Sequence, residues 1–147
     1  MTFRDRVVDL LSRQQFGVVS SLGPGGHPQS AVVGVALTPA LELVFDTLRS
    51  SRKYRNIAVN PAVSFCAWDG EVTVQIDGVA REIDESEWPA YQAVYFRAFP
   101  DGPSRVSWDG LTYIVIQPRW CRLSDFSSDP PRIDEADLAD SDNNEQQ

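Results

Sequence analysis

Ser51, Arg52 and Lys53 form the stretch of this chain whose residue types and spacing suit a definite chemistry, the holding of an anion. They follow a β-prone run containing Leu41, Val44, Phe45 and Thr47, and Ser50 or Ser51 can N-cap a helix that Asn60-Pro61 would stop. A helix start carries unpaired backbone N–H groups and a partial positive charge. A capping serine followed by two cations can therefore grip a phosphate there. Lys53 is the only lysine in the chain. The same residues also suit an ordinary capped helix with solvated charges, because Ser-Arg-Lys is a short and common string.

Other chemistries find fewer parts. Paired catalytic carboxylates, a Ser-His-Asp set and a metal cluster each need a constellation, yet the chain has one histidine, His27, in a glycine-rich turn, and its acids are scattered through turns and helix faces. Cys66 and Cys121 lie far apart in apolar, strand-like runs and are expected to be buried free thiols. No hydrolase and no metal site are expected.

Charge excludes another class. The net charge is -8, and residues 127–147 hold seven acids against Arg132 alone, which leaves twelve basic and fourteen acidic residues in 1–126. A nearly neutral body with an acidic tail lacks the basic footprint that nucleic acid requires. The N-terminus carries charges in its first turns and has no uninterrupted apolar run, so no signal peptide is expected. No stretch is long enough to span a membrane, and a cytoplasmic protein is the default.

The elements that must place Ser51–Lys53 follow from periodicity. Thr2 with Asp5 offers a capping pair, and Phe3, Val7, Leu10 and Leu11 recur at helical spacing, which predicts a helix over 3–13. Alternating runs at 15–22 and 29–37, joined by Gly23-Pro-Gly-Gly-His-Pro28, predict a β-hairpin. Strands are expected at 41–47, 62–68, 71–84 and 111–123, with a bulge at Gly78. Asp84 with Glu87 would cap a helix over 85–99, whose stripe of Trp88, Tyr91, Tyr95 and Ala98 suits core packing better than a cofactor box. One domain over 1–126 is expected. Residues 127–147 have almost nothing to bury and are expected to be disordered and dispensable.

From Phe16 to Trp120, roughly three quarters of its length, the chain resembles the pyridoxamine 5'-phosphate oxidase-like family of FMN-binding split barrels. The resemblance rests on an ordered series: Val18-Val-Ser-Ser-Leu, Gly25-Gly-His-Pro-Gln-Ser-Ala-Val, Phe45-Asp-Thr, Ser51-Arg-Lys-Tyr-Arg-Asn-Ile, Asn60-Pro-Ala-Val-Ser-Phe, Val72-Thr-Val-Gln-Ile-Asp-Gly-Val-Ala, and Trp108 before Tyr113-Ile-Val-Ile-Gln-Pro-Arg-Trp. It implies a mainly β fold with short helices, a split barrel of six or seven antiparallel strands. By the same resemblance Ser51, Arg52 and Lys53 hold the FMN phosphate, and Thr47 with Asp46 lines the ribityl chain or ring edge. The backbone of Val32–Val35, Val33 and Gly34 included, faces the isoalloxazine. Thr73 adds a polar contact, and Trp108, whose indole could otherwise simply plug the core, comes from the other subunit of a homodimer with its sites at the interface.

The chain departs from the vitamin-oxidising members, which end in a segment with an arginine and a histidine, whereas this one ends in acids without histidine. What the resemblance implies is then an FMN-dependent oxidoreductase acting on a small molecule, with substrate and catalytic residues unspecified. In such an enzyme the cofactor brings the reactive atoms and the protein supplies placement. Two alternatives stay open: a reductase using the deazaflavin F-420, and a non-catalytic flavin-binding or sensing protein. Haem, which similar chains bind, is disfavoured by the lone histidine in a turn.

Overall fold

Period-two alternation dominates the chain between Phe16 and Asp125, and it builds an antiparallel sheet. The computed structural model describes residues 1–138; what is expected of 139–147 lies outside the described residues. Helix α1 (Phe3–Arg13) leads into strands β1 (Phe16–Leu22), β2 (Pro28–Gly34), β3 (Ala36–Leu37) and β4 (Leu43–Leu48). Helix α2 (Arg52–Val59), strands β5 (Ala62–Asp69) and β6 (Val72–Glu82), helix α3 (Trp88–Ala98), and strands β7 (Leu111–Asp125) and β8 (Arg132–Asp137) complete the order. The strands are arranged β2-β1-β5-β6-β7-β4-β3, with β8 pairing β7. This is the mainly β, split-barrel arrangement with short helices that the sequence leads one to expect.

Local signals account for much of it. Thr2 and Asp5 close a reciprocal capping box at the start of α1, with both bonds at 3.1 Å. The register of β6 against β7 shifts at Asp77/Gly78, where a Cβ would lie 2.5 Å from the Gln117 carbonyl oxygen. Only glycine allows that approach, and the bulge lets the two longest strands curve. Asp84 and Glu87 do not cap α3, however. A 3-10 turn over Glu85–Glu87 intervenes, and the helix proper begins at Trp88 with Pro89 in its first turn.

Each sheet face carries its own core. Leu43 and Phe45 of β4 point into the larger one with Val19, Phe65, Ile76 and Ile114, beneath Leu10 and Leu11 of α1. Val44 points the other way, against Ile83, Tyr95, Phe99 and Tyr113 under α3. There Trp88 and Tyr95 meet Tyr113 edge-on, with ring centroids 5.1 and 5.9 Å apart. The aromatic stripe of α3 is core.

Two further expectations need correction. Cys66 is exposed, because β5 buries Val63, Phe65 and Ala67 and the alternation turns Cys66 to the outer face. Cys121 alone of the two is buried, and burial pushes its thiol up to about 12.

The second correction concerns the tail: residues 132–137 are β8 rather than disordered. β4 pairs with β7 only from Leu111 to Ile116, so the later half of β7 has a free edge, and β8 covers it from Trp120↔Asp137 to Asp125↔Arg132. Backbone pairing needs no apolar pattern, and ion pairs help: Arg6 meets Asp134 at 2.7 Å and Arg122 meets Glu135 at 2.8 Å. Leu138 packs on the larger core. Deleting residues 128–147 is therefore expected to cost about 2 kcal/mol and lower the melting temperature by roughly 5–10 °C. A melting curve unchanged within about 2 °C would show that β8 adds nothing to the body.

Candidate functional site

The strand β4, the turn after it and α2 place the cationic stretch. Ser51 N–H donates to the Leu48 carbonyl at 2.9 Å to close the turn, and Arg49 N–H donates to the Gly110 carbonyl at 2.9 Å, which ties the turn to the start of β7. Ser51 has extended backbone angles and its Oγ accepts from Tyr54 N–H at 3.3 Å, so it is the N-cap. That hydroxyl also lies 3.0 Å from Thr47 Oγ1, which brings together two of the expected site residues.

The inner face of α2 is pinned to the β1–β2 hairpin by one buried amide. Asn56 Nδ2 donates to Ser21 Oγ at 3.0 Å and to Gln29 Oε1 at 2.9 Å. Two adjoining cavities open between helix and hairpin. The smaller, about 130 Å³, is lined by Arg52 and Lys53 together with Val19, Ser21, Ser30 and Ala31. The larger, about 740 Å³, runs from Arg52 past Arg55, Asn56 and Asn60 to the glycine turn at Gly23–Gly26. Arg52 borders both.

Electrostatics distinguish these cations from most of the others. Arg6, Arg13, Arg49, Arg81, Arg105, Arg122 and Arg132 all pair with carboxylates. Arg52, Lys53 and Arg55 make no ion pair or side-chain hydrogen bond among the described residues. Burial lowers the Lys53 ammonium from its ordinary value, against the opposing charge of Asp46. Three cations without an ion pair, within one helical turn of an N-terminus in a chain of net charge -8, form a place for an anion.

The remaining expected residues are placed differently. Asp46 lies on the opposite sheet face from Thr47, where its Oδ2 accepts from Arg105 Nε at 2.7 Å. Val33 is buried in the larger core, and Gly34 faces the Phe99 ring. Because β2 ends the strand order, its outer backbone edge has no strand partner among the described residues. Thr73 sits opposite Trp68 and Ser124 at the far end of β6 from Glu82. Trp108 lies in the turn before β7 with 54 % of its surface exposed. Neither Thr73 nor Trp108 lines the two cavities.

Sequence reasoning missed three participants: Arg55, Asn56 and Glu82. Arg55 had a signal, since it stands three residues after Arg52 on the same helix side. Asn56 and Glu82 had none, because their partners are 27 to 35 residues away. Glu82 Oε2 accepts from Arg49 Nε at 2.9 Å and Thr112 Oγ1 at 2.6 Å, and its Oε1 accepts from Tyr54 Oη at 2.9 Å. Burial raises the Glu82 carboxyl, but the hydrogen bonds from Thr112, Arg49 and Tyr54 outweigh that and hold it below its ordinary value. Among the described residues no group of three potential ligands is placed to hold a metal, and no helix is long and apolar enough to cross a membrane.

Comparison with known proteins adds to this geometry. The sequence profile of the pyridoxamine 5'-phosphate oxidase family matches residues 3–124. No curated protein matches the chain. Among solved structures, a heme binding protein from Mycobacterium smegmatis superposes with a TM-score of 0.75 at 19% identity over 87% of this chain, which spans 55% of that protein's length. A pyridoxamine 5'-phosphate oxidase-related, FMN binding protein from Nostoc punctiforme gives 0.68 at 13% identity, over 94% of this chain and 97% of that one. A protein described as F420 reductase gives 0.61 at 26% identity, over 75% and 90%.

Proposed function

The chain belongs to the pyridoxamine 5'-phosphate oxidase family, and from that premise we propose that it binds FMN by its phosphate and serves as an FMN-dependent oxidoreductase on a small-molecule substrate. The observation that carries this reading is the set of unpaired cations Arg52, Lys53 and Arg55 over cavities that open beside the N-terminus of α2. Arg52 and Lys53 take the phosphate with the free N–H groups of the first helical turn. Ser51 caps the helix and fixes its direction through Thr47. The unpaired edge of β2 offers backbone donors and acceptors to the ring system. When bound, FMN supplies the electron-transfer chemistry; the chain supplies binding, orientation and a phosphate counter-charge.

In this reading the protein acts as a homodimer in the cytoplasm, where an exposed thiol such as Cys66 stays reduced. The exposed Trp108 and Val106 on one turn form part of the subunit interface and approach the partner's cofactor. An F-420-type deazaflavin is the second reading. It is favoured by the likeness to the F420 reductase and by the larger cavity, which continues past Arg52 along Arg55 and has room for a longer anionic ligand.

The test is a titration of the purified protein with FMN and with the deazaflavin, followed by absorption and light scattering. The expected result is one FMN per protomer, a dimeric mass, and reduction of the bound flavin by a nicotinamide donor. Binding without any reduction leaves a flavin-binding protein rather than an enzyme. No FMN binding at concentrations on the order of 100 µM would overturn the reading, since that corresponds to less than about 5.5 kcal/mol.

A further inference from the structure

We propose that Glu82 is the positioning residue of the anion site: from beneath the strand–turn–helix junction it holds Arg49 and Tyr54 so that Arg52 and Lys53, which lie between them, face the cavity. The inference rests on the reading of Arg52 and Lys53 as phosphate ligands and assigns a role to a residue outside the cavities they line.

The geometry is a clamp with three arms from three elements. Arg49 stands in the turn before the N-cap, Tyr54 in the first turn of α2, and Thr112 at the start of β7, and all three donate to the one carboxylate at 2.6 to 2.9 Å. Glu82 itself is the last residue of β6, and its backbone is held by the pairing of Glu82 with Ile114. The carboxylate therefore stands on a sheet position. The segment it holds is a loop and a helix of eight residues, too short to keep its orientation by itself.

Charge argues the same way. Arg49 is the first of four cations within seven residues, and Glu82 neutralises that one alone. Without Glu82 the junction would carry an unpaired Arg49 behind the site, free to turn toward the same anion from the wrong side. With Glu82 in place Arg49 is fixed to the sheet, and the Tyr54 hydroxyl, one residue after Lys53, together with the Asn56 amide on the hairpin side, sets the rotation of α2 about its axis. Because successive helical residues differ by about 100° in direction, fixing Tyr54 also fixes Arg52 and Lys53.

The experiment compares FMN with riboflavin, which lacks the phosphate, in the full-length parent and in Glu82→Ala. The parent is expected to prefer FMN strongly. Glu82→Ala should reduce FMN affinity by about ten- to hundred-fold, by analogy with the loss when an orienting partner of a metal ligand is removed, with riboflavin affinity changed less than about threefold. Glu82→Gln, which keeps an acceptor for the Tyr54 hydroxyl, should recover part of the loss. If Glu82→Ala does not fold, Tyr54→Phe takes its place and should still shift the ratio by at least about threefold.

The outcomes are separable. A parent with no preference for FMN over riboflavin would overturn the phosphate reading itself. A parent that prefers FMN, with Glu82→Ala or Tyr54→Phe keeping that preference within about twofold, would overturn the role of Glu82 alone. Equal losses for both ligands would reduce Glu82 to a residue of general stability and would sink the proposal as well.

Discussion

The double substitution Arg52→Ala with Lys53→Ala is expected to give a folded protein whose FMN affinity is lower by on the order of a hundred- to ten-thousand-fold. Hydrogen bonds to charged groups contribute roughly 1.5–3 kcal/mol each, so two of them amount to about 3–6 kcal/mol. Folding should survive, since neither side chain pairs with a carboxylate or packs in a core. Removing two unpaired cations from so short a segment even relieves some repulsion. Riboflavin affinity should fall far less, because the loss is confined to the phosphate. Arg55→Ala alone should have a smaller effect on FMN and a larger one on any ligand that extends into the bigger cavity. An FMN affinity within about threefold of the parent in the double variant would mean that these are solvated surface charges, which contribute almost nothing.

Arg105→Ala is expected to be the most destabilising single change on the surface of this protein, at about 2–4 kcal/mol and roughly 10 °C in melting temperature. Arg105 uses its whole fork: Nε donates to Asp46 at 2.7 Å, Nη1 to Asp101 at 2.7 Å and Nη2 to the Tyr95 hydroxyl at 3.2 Å. Its side chain and that of Asp46 are each only 17% exposed. Truncation leaves the Asp46 carboxylate largely out of water with Lys53 as its remaining cationic neighbour, and it cuts the tie between β4 and the turn that carries Trp108. Arg105→Lys should not rescue it, since an ammonium cannot meet three acceptors in that plane. Asp46→Asn should cost less, near 1 kcal/mol, because Arg105 keeps Asp101 and Tyr95. Thermal melts decide the matter: equal costs for the two variants, or a loss under about 3 °C for Arg105→Ala, would show that the cluster is solvated enough to be neutral.

Much of the local structure follows from the sequence by itself, because its causes act over a few residues. The capping box of Thr2 and Asp5, the N-cap Ser51, the stop at Asn60-Pro61 and the bulge at Gly78 are each set by a backbone group and a side chain within one turn or one strand pair. The ordered series of motifs between Val18 and Trp120 carries the resemblance to the family, and the cluster of cations at a helix start suggests an anion.

Which cations remain free was decided only by the tertiary structure. Arg49, Arg52, Lys53 and Arg55 look alike in the sequence, and the register of β6 against β7 brings Glu82 beneath Arg49, while among the described residues none of the others is given an ion pair. Asp46 and Thr47 are neighbours in the chain, but a strand turns successive side chains to opposite faces, so one serves the Arg105 cluster and the other the N-cap of α2. The same two-residue period exposes Cys66, and an unpaired half of β7 draws a polar segment into β8. Each of these outcomes depends on pairing between residues far apart in sequence. A carboxylate, a thiol or a backbone edge takes its role from the neighbour it meets, and that neighbour is chosen by register and strand order rather than by the residue's own type.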